Sequence, residues 1–526
     1  MSHHATPGST RLAALLLISL CACGGGGGGG SASSGGQASA ASSSSSAASS
    51  ATKSSSSSSV ASVSATCEVP TAWTLPTTRV TVGQGTAASC TEAALRSAAQ
   101  SGGSITFSCG SSPVTIPVSS EIRFPNATVI DGAGLITLDG GSKNRILVSA
   151  NNRSLSVRNM RLINGAAGKT MEGAGIGGAV SGEYMNRIEV INSRFENNTA
   201  GRGGGAVGVG TASTLVIVGS TFTGNSAWYG GAVYSLLSPL SIVNSVFSGN
   251  FTTTDGSLGD GGAIGTDGAS TSPDDSVGGD VYICGTQITG NQGYGNGGGA
   301  YLWVYPPDRI IIDRTTVSAN RASTNGRNNN GLGGAMRVSN GEIIIRRSSF
   351  LSNTSDGNGG GLYLDCAPSC TLNNDTFHGN IAKSYGGAIF GDGHSSNNVT
   401  FAANQAGGHG GAIFGSGFSV SNSVFLDNAA GNPWGQAMSC SSTGTGANVV
   451  QWLSAKNNGG SDTCVPAPTA AAPALSAPAD NGGPTWTMLP ARDSPLLNAG
   501  SGCTTEDQRG NSRDTARCDL GSVEIN

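Results

Sequence analysis

From Gly177 to Asn428, apolar and polar positions return in a fixed order. An apolar pair two residues apart comes first: Ile188 and Val190, Leu215 and Ile217, Leu240 and Ile242, Val281 and Ile283, Ile310 and Ile312, Ile343 and Ile345, Phe418 and Val420. Beyond each pair stands a Phe followed three residues later by Asn, as in Phe195/Asn198, Phe222/Asn225, Phe247/Asn250, Phe350/Asn353 and Phe425/Asn428. Phe377/Asn380 and Phe401/Asn404 repeat this signature, while Ile288/Asn291 and Val317/Asn320 stand in for it in two repeats. Alternating with it is Gly-Gly-Ala plus an apolar residue, starting at Gly177, Gly204, Gly230, Gly261, Gly298, Gly333, Gly386 and Gly410, with Leu362 replacing Ala in the copy at Gly360. On this reading the apolar residues at Gly298 and Gly360 are Tyr301 and Tyr363.

Residues two apart share one face of a strand, and β-branched types dominate the pairs, so each repeat carries strands. A helical repeat would not tolerate the glycine, since each interior Gly costs about 1 kcal/mol. Repeats spaced 24 to 41 residues apart, mostly 24 to 27, make a solenoid. Gly-Gly supplies bends at positive φ, and the Phe rings and Asn amides stack as ladders. The expected fold is all-β, a right-handed parallel β-helix, its hand taken from the general crossover preference. About 11–13 coils spaced about 4.8 Å apart would make a rod of about 50–60 Å.

Four segments are expected: 1–23, 24–66, the β-helix at 67–435 and a C-terminal cap or tail at 436–526. Arg11 precedes the apolar run Leu12 to Leu20, too short to span a membrane and read as a signal peptide. From Gly24 to about Ala65 the chain is Gly, then mostly Ser and Ala, with Lys53 as its one charge, a composition that builds a flexible tether and not a core. Ser89-Cys90-Thr91-Glu92 is a capping box, and Gly102-Gly103 ends the short helix that would cover the open end of the β-helix.

These features carry several resemblances. The paired Gly-Gly-Ala-Ile and Phe-x-x-Asn signatures resemble the repeats of chlamydial polymorphic outer membrane proteins and many bacterial surface β-helix proteins, which implies surface display and adhesion. Cys90 to Gly165 resembles the opening coils of pectate-lyase-like proteins. Leu20-Cys21-Ala22-Cys23 resembles a bacterial lipobox, which would make Cys23 the lipidated first residue, with outer-membrane sorting suggested by Gly24. Asn481 to Glu524 looks like the choice-of-anchor Q domain, in which Arg509 and Asp519 would form a structural pair.

Twelve Cys in an exported chain read as disulfides. The expected bonds are Cys90–Cys109, Cys440–Cys464 and Cys503–Cys518, with Cys366–Cys370 as a further pair although Cys370 falls in a core-facing slot. The pairing of Cys67 and Cys284 stays open, free thiols being one reading, with Cys284 taken as buried strand packing. The His residues do not stand at ligand spacing from Cys, so zinc is not expected.

Net charge is −4 and no basic run exists, which argues against a nucleic-acid partner. Thr252 to Asp280 carries Asp255, Asp260, Asp267, Asp274, Asp275 and Asp280 with no Lys or Arg, a composition able to bind Ca²⁺ and equally that of a solvated loop. His394 and Ser396 fall in the slots of Phe418 and Val420, a polar break near Asp392 that marks either a site or a local bend. Tyr229, Tyr385 and His409 each precede Gly-Gly; Trp228 adjoins Tyr229, and Tyr301, Trp303 and Tyr305 alternate along one strand. With coils in register these aromatics would line one face as a sugar-stacking row, bend packing being the plainer account. The expected role is that of a lipid-anchored, surface-displayed β-helix binding a polysaccharide or cell-surface glycan through its lateral face. The alternative is a lyase or hydrolase of acidic glycans such as pectate, for which Lys383, Tyr385, Asp392, His394 and His409 are candidate catalytic groups. Fold does not choose between them.

Overall fold

The computed structural model describes residues 67–525 apart from Ala72, Leu75 and the stretches 169–174, 254–258, 269–277, 325–329, 433–437 and 460–461. Cys23, expected to carry the lipid, the segment 24–66 expected as a tether, Asp255, Asp274 and Asp275 therefore lie outside the described residues. Within them the chain is a right-handed parallel β-helix. One coil shows the plan: Val180–Gly182, Arg187–Ile191, Arg194–Glu196 and Thr199–Ala200 are four short strands separated by bends. Each pairs in parallel with its counterparts in neighbouring coils. The nine Gly-Gly-Ala strands join Ile122–Phe124 and Leu147–Ser149 in an eleven-stranded sheet, the two-residue strands of the Thr199–Ala200 kind form a ten-stranded one, and the remaining strands a bent 24-stranded sheet.

The interior is built as the spacing predicts. Ile188, Val190 and Phe195 are fully buried, and Phe195, Phe222 and Phe247 stack with centroids 4.9 and 4.6 Å apart. Beside the rings runs the amide ladder. The side-chain nitrogen of Asn198 donates to Oδ1 of Asn225, and the contact repeats from coil to coil up to Asn428 at 2.8–3.0 Å. Its second N–H reaches back to the carbonyl of a core residue one coil earlier, Phe195 in the case of Asn225. An unmet buried amide costs about 1–3 kcal/mol, and here both of its N–H donors are met.

The Gly-Gly bends settle the register. The residue that adopts positive φ is Gly177, Gly204, Gly230, Gly261, Gly333, Gly386 or Gly410 where expected, but Gly297 and Gly359 in the other two coils. There the signature is Gly-Gly-Gly-Ala and Gly-Gly-Gly-Leu, so Ala300 and Leu362 fill the core slots. Tyr301 and Tyr363 stand one place further on and face outward, a correction to the alignment read from sequence.

Three further expectations change. The cap of the helix Glu92–Ser101 is Thr91, whose Oγ1 accepts from the Ala94 N–H, while Ser89 lies in a preceding turn and Glu92 pairs with Arg96. Cys67 and Cys284 are not free but bonded to each other across 217 residues, while the four expected disulfides are formed. Arg509 pairs with Asp507, and Arg513 with Glu524. The Asp519 oxygens accept backbone N–H groups of Asn498 and Ile525.

Both ends of the described chain lie along the bent sheet. The Thr71 carbonyl accepts from Arg187, and the Trp73 N–H donates to Glu189. Gln508 of the tail donates to Ser349 and accepts from Thr376, and Asn374, Asn398 and Asn422 hold residues 501–521 along successive coils. The contacts of both end segments fall on the bent sheet, and the Gly-Gly-Ala sheet is the one that carries the aromatic candidates.

Candidate functional site

Each Gly-Gly-Ala strand turns its first residue inward and its second outward. Pairing sets the outward residues Gly208, Tyr234, Gly265, Tyr301, Arg337, Tyr363, Phe390 and Phe414 in one column. The column fits by alternating large and small groups with the residues ahead of the bends. A side chain at Gly203 would strike the Tyr234 ring, and one at Gly265 would strike the backbone of the Tyr229–Gly230 bend. Tyr229 and Tyr234 thus pack with centroids 5.8 Å apart, and the half-buried Trp228 lies 5.5 Å from Tyr229.

On the next coils Tyr301 and Trp303 lie side by side, 6.4 Å apart and 16° from coplanar. The Tyr305 hydroxyl donates to Asp267 at 3.2 Å. Arg337 is sandwiched, its guanidinium carbon 5.6 Å from the Tyr301 ring centre and 5.1 Å from that of Tyr363, a cation–π arrangement. The stack continues through Tyr363, Phe390 and Phe414, 4.9 and 5.1 Å apart. In that upper part the ring faces are spent on one another. Around Tyr301, Trp303 and Tyr305 the rings are half-buried and carry polar tips.

Electrostatics define what these tips do. Burial pushes the hydroxyls of Tyr229 and Tyr234 well above the usual phenol range, reinforced by Asp260 at Tyr229 and by Asp267 at Tyr234. Burial does the same at Tyr301, where the Arg337 charge opposes it. All three remain protonated donors at neutral pH. Asp260 is buried and its carboxyl is raised by desolvation, opposed by the Asn296 N–H, which donates to it at 2.7 Å. Asp267 is raised by burial too, opposed by the hydrogen bond from Tyr305.

Six sequence candidates therefore come together: Tyr229, Tyr301, Trp303, Tyr305, Asp260 and Asp267. Among the described residues no three His, Cys, Asp or Glu converge as a metal cluster, and Asp280 is engaged by Arg309 at 2.7 Å. Sequence reasoning missed Tyr234, Arg337, Phe390 and Phe414. They stand directly after the apolar residue of the signature, so reading one position further at every copy would have found them.

The catalytic candidates do not join the cluster around Tyr301. His394 is 1% exposed, stacked on Phe418 at 5.5 Å inside the core. Neither ring nitrogen has a partner at hydrogen-bond geometry, nor does the Ser396 hydroxyl, which sits opposite Val420. Burial lowers the His394 pKa to about 4, with the Gly391 backbone and the Asp392 charge offsetting little of it. Asp392 itself accepts from the N–H and hydroxyl of Ser416. Lys383 forms an ion pair with Asp356 at 2.7 Å. Tyr385 and His409 do meet, 6.1 Å apart, with Tyr385 against Phe414 and His409 Nδ1 3.2 Å from the Met438 sulfur.

No family model matches the chain, and no curated protein does. Solved structures do. The periplasmic alginate epimerase AlgG aligns at 12% identity and TM-score 0.34 over 64% of this chain and 76% of its own. Pectate lyase Pel9A aligns at 14% and 0.29 over 83% and 91%. Tailspike protein 3 of bacteriophage CBA120 aligns at 14% and 0.31 over 69% and 60%. At such TM-scores these likenesses say nothing of what this chain binds.

Proposed function

We propose that the chain is a cell-surface glycan-binding protein, held by a lipid at Cys23 in the outer membrane and engaging its ligand through the face around Tyr301. What supports the reading is that Tyr229, ahead of the strand Val233–Leu236, and Tyr301, Trp303 and Tyr305, along and just past the strand two coils further on, stand on the outward face of one sheet. Aromatic rings offer apolar area to sugar C–H groups, and protonated phenols offer hydrogen-bond donors to sugar hydroxyls. A face on a regular stack of coils suits a long polymer, because successive sugar units can meet successive coils. Calcium has no place in this reading beyond the acidic residues outside the described set.

Cleavage of an acidic glycan such as pectate is the alternative. It needs a solvent-facing base; the raised phenols of Tyr229 and Tyr301 and the core-buried His394 do not supply one, which leaves His409 beside Tyr385 as its candidate.

The test is a glycan array and calorimetry on the chain from Thr66 onward, with pectate, alginate and glycosaminoglycans also followed for unsaturated uronate and reducing ends. Retention without turnover, lost in Tyr301→Ala/Trp303→Ala, is the expected result. Turnover of any substrate would replace binding by catalysis, and no retention on any glycan would remove both.

A further inference from the structure

The Cys67–Cys284 disulfide joins the first described residue to a strand far along the rod. After Cys67 the chain runs back past Glu189 and Arg187, which hold Trp73 and Thr71, and enters the first strand, Arg79–Val82. Seven successive strand pairings separate that first strand from Val281–Cys284. All the coils between them lie inside one covalent loop. Cys284 also belongs to the coil that carries Asp260, Gly265 and Asp267, so the bond and the candidate site share a coil.

We propose that Cys67–Cys284 is a load-bearing clasp: tension on the chain ahead of Cys67 enters the rod at the coil that holds the binding face, and the coils nearer the first strand carry none of it. Without the bond, the same tension would arrive at Arg79–Val82, an end strand with one neighbour, Gly103–Phe107. An end strand of a solenoid contacts only the next repeat, so coils would peel from that end one at a time. With the bond, the load must detach a strand paired on both sides, to Leu240–Val243 and to Arg309–Asp313. The bond itself sits in its own small apolar cluster with Val243 and is nearly closed to solvent, which protects it from exchange. That tension reaches the protein at all rests on the adhesion reading above; the path it takes does not.

Single-molecule stretching of the full exported chain between handles at its two ends reads the path directly, with no glycan present. In the native protein, residues 67–284 stay closed and add nothing to the total lengthening. Any coil-sized step then comes from the coils after Cys284, where the end strand Val449–Trp452 also has a single strand neighbour. In Cys67→Ser/Cys284→Ser, coil-sized steps from residues 67–284 appear as well, and the final contour grows by about 750 Å from the 217 residues released. Cys366→Ser/Cys370→Ser, which opens a separation of 4 residues, leaves the trace unchanged. A protease site at Thr77-Thr78 supplies a second reading that needs no cysteine variant. Cutting it in the oxidised protein should leave handle and trace intact, because no load runs through residues 68–78. A trace altered by that cut, or a serine variant lacking the added steps, would overturn the clasp. Loss of glycan binding elsewhere would leave it standing.

Discussion

His394 and Tyr301 both break the repeat, and the structure sends them opposite ways. His394 occupies an interior slot and loses its water, the Gly391 backbone offsets little of that loss, and its ring serves as a disc stacked on Phe418. Tyr301 occupies an outward slot, keeps part of its surface, and gathers Trp303, Arg337 and Asp267 about it. Facing outranks chemical character. In stacked coils a departure from the pattern is available for function only if it falls on an outward position, because an inward one is sealed by the coils above and below.

The sharpest way to break this contrast is to empty one slot of each kind. Phe377→Ala, inside the ring stack between Phe350 and Phe401, should lower stability by about 3–5 kcal/mol. Tyr363→Ala on the outward column should fall well short of that, and equal losses in urea titrations would end the distinction. Next comes acid. His394 titrates near 4 when folded and near 6.5 when free, so as pH falls through that window the unfolded chain takes up a proton that the folded one refuses. Stability should drop across it by about 3 kcal/mol at most. His394→Leu should flatten this part of the curve, and an unchanged curve would mean that the ring is not sealed. Tyr301→Ala/Trp303→Ala should weaken glycan binding about tenfold, about 1.4 kcal/mol, with the melting midpoint nearly unmoved. A large fall in melting midpoint would make these side chains structural. Smallest of all, Lys383→Ala should change stability by less than about 1 kcal/mol and leave binding alone, because Lys383 itself is exposed and Asp356 keeps its ion pair with Arg321.

Much of the architecture was legible because it repeats. Ile188 and Val190 predict a strand, and their recurrence ahead of each Phe predicts the stacked sheet in which they are buried. Asn198 and its successors predict a ladder, which is present in every coil they span. What was not legible depends on contacts that a repeat does not encode. Tyr301 and Tyr363 were set one slot early because three consecutive glycines offer two ways to place a two-glycine bend, and only φ chooses. Cys67 and Cys284 are brought together by the path of the first described segment over the sheet, which no local spacing reveals. The expected tail pair Arg509–Asp519 fails for a similar reason: the tail has no period, and within it Arg509 is met by Asp507. Of the candidate site, the aromatics were visible as residues, but their assembly into a face needed the register.

The amide ladder joins asparagines whose sequence separation varies from 24 to 41 residues without altering the bond between them. Additional length is extruded at the corners while each rung keeps the same handhold on the next. A whole turn of the spiral is therefore an interchangeable cassette: copying one in a gene would extend the molecule's reach by about 4.8 Å, and excising one would shorten it, with the joints on either side already cut to fit.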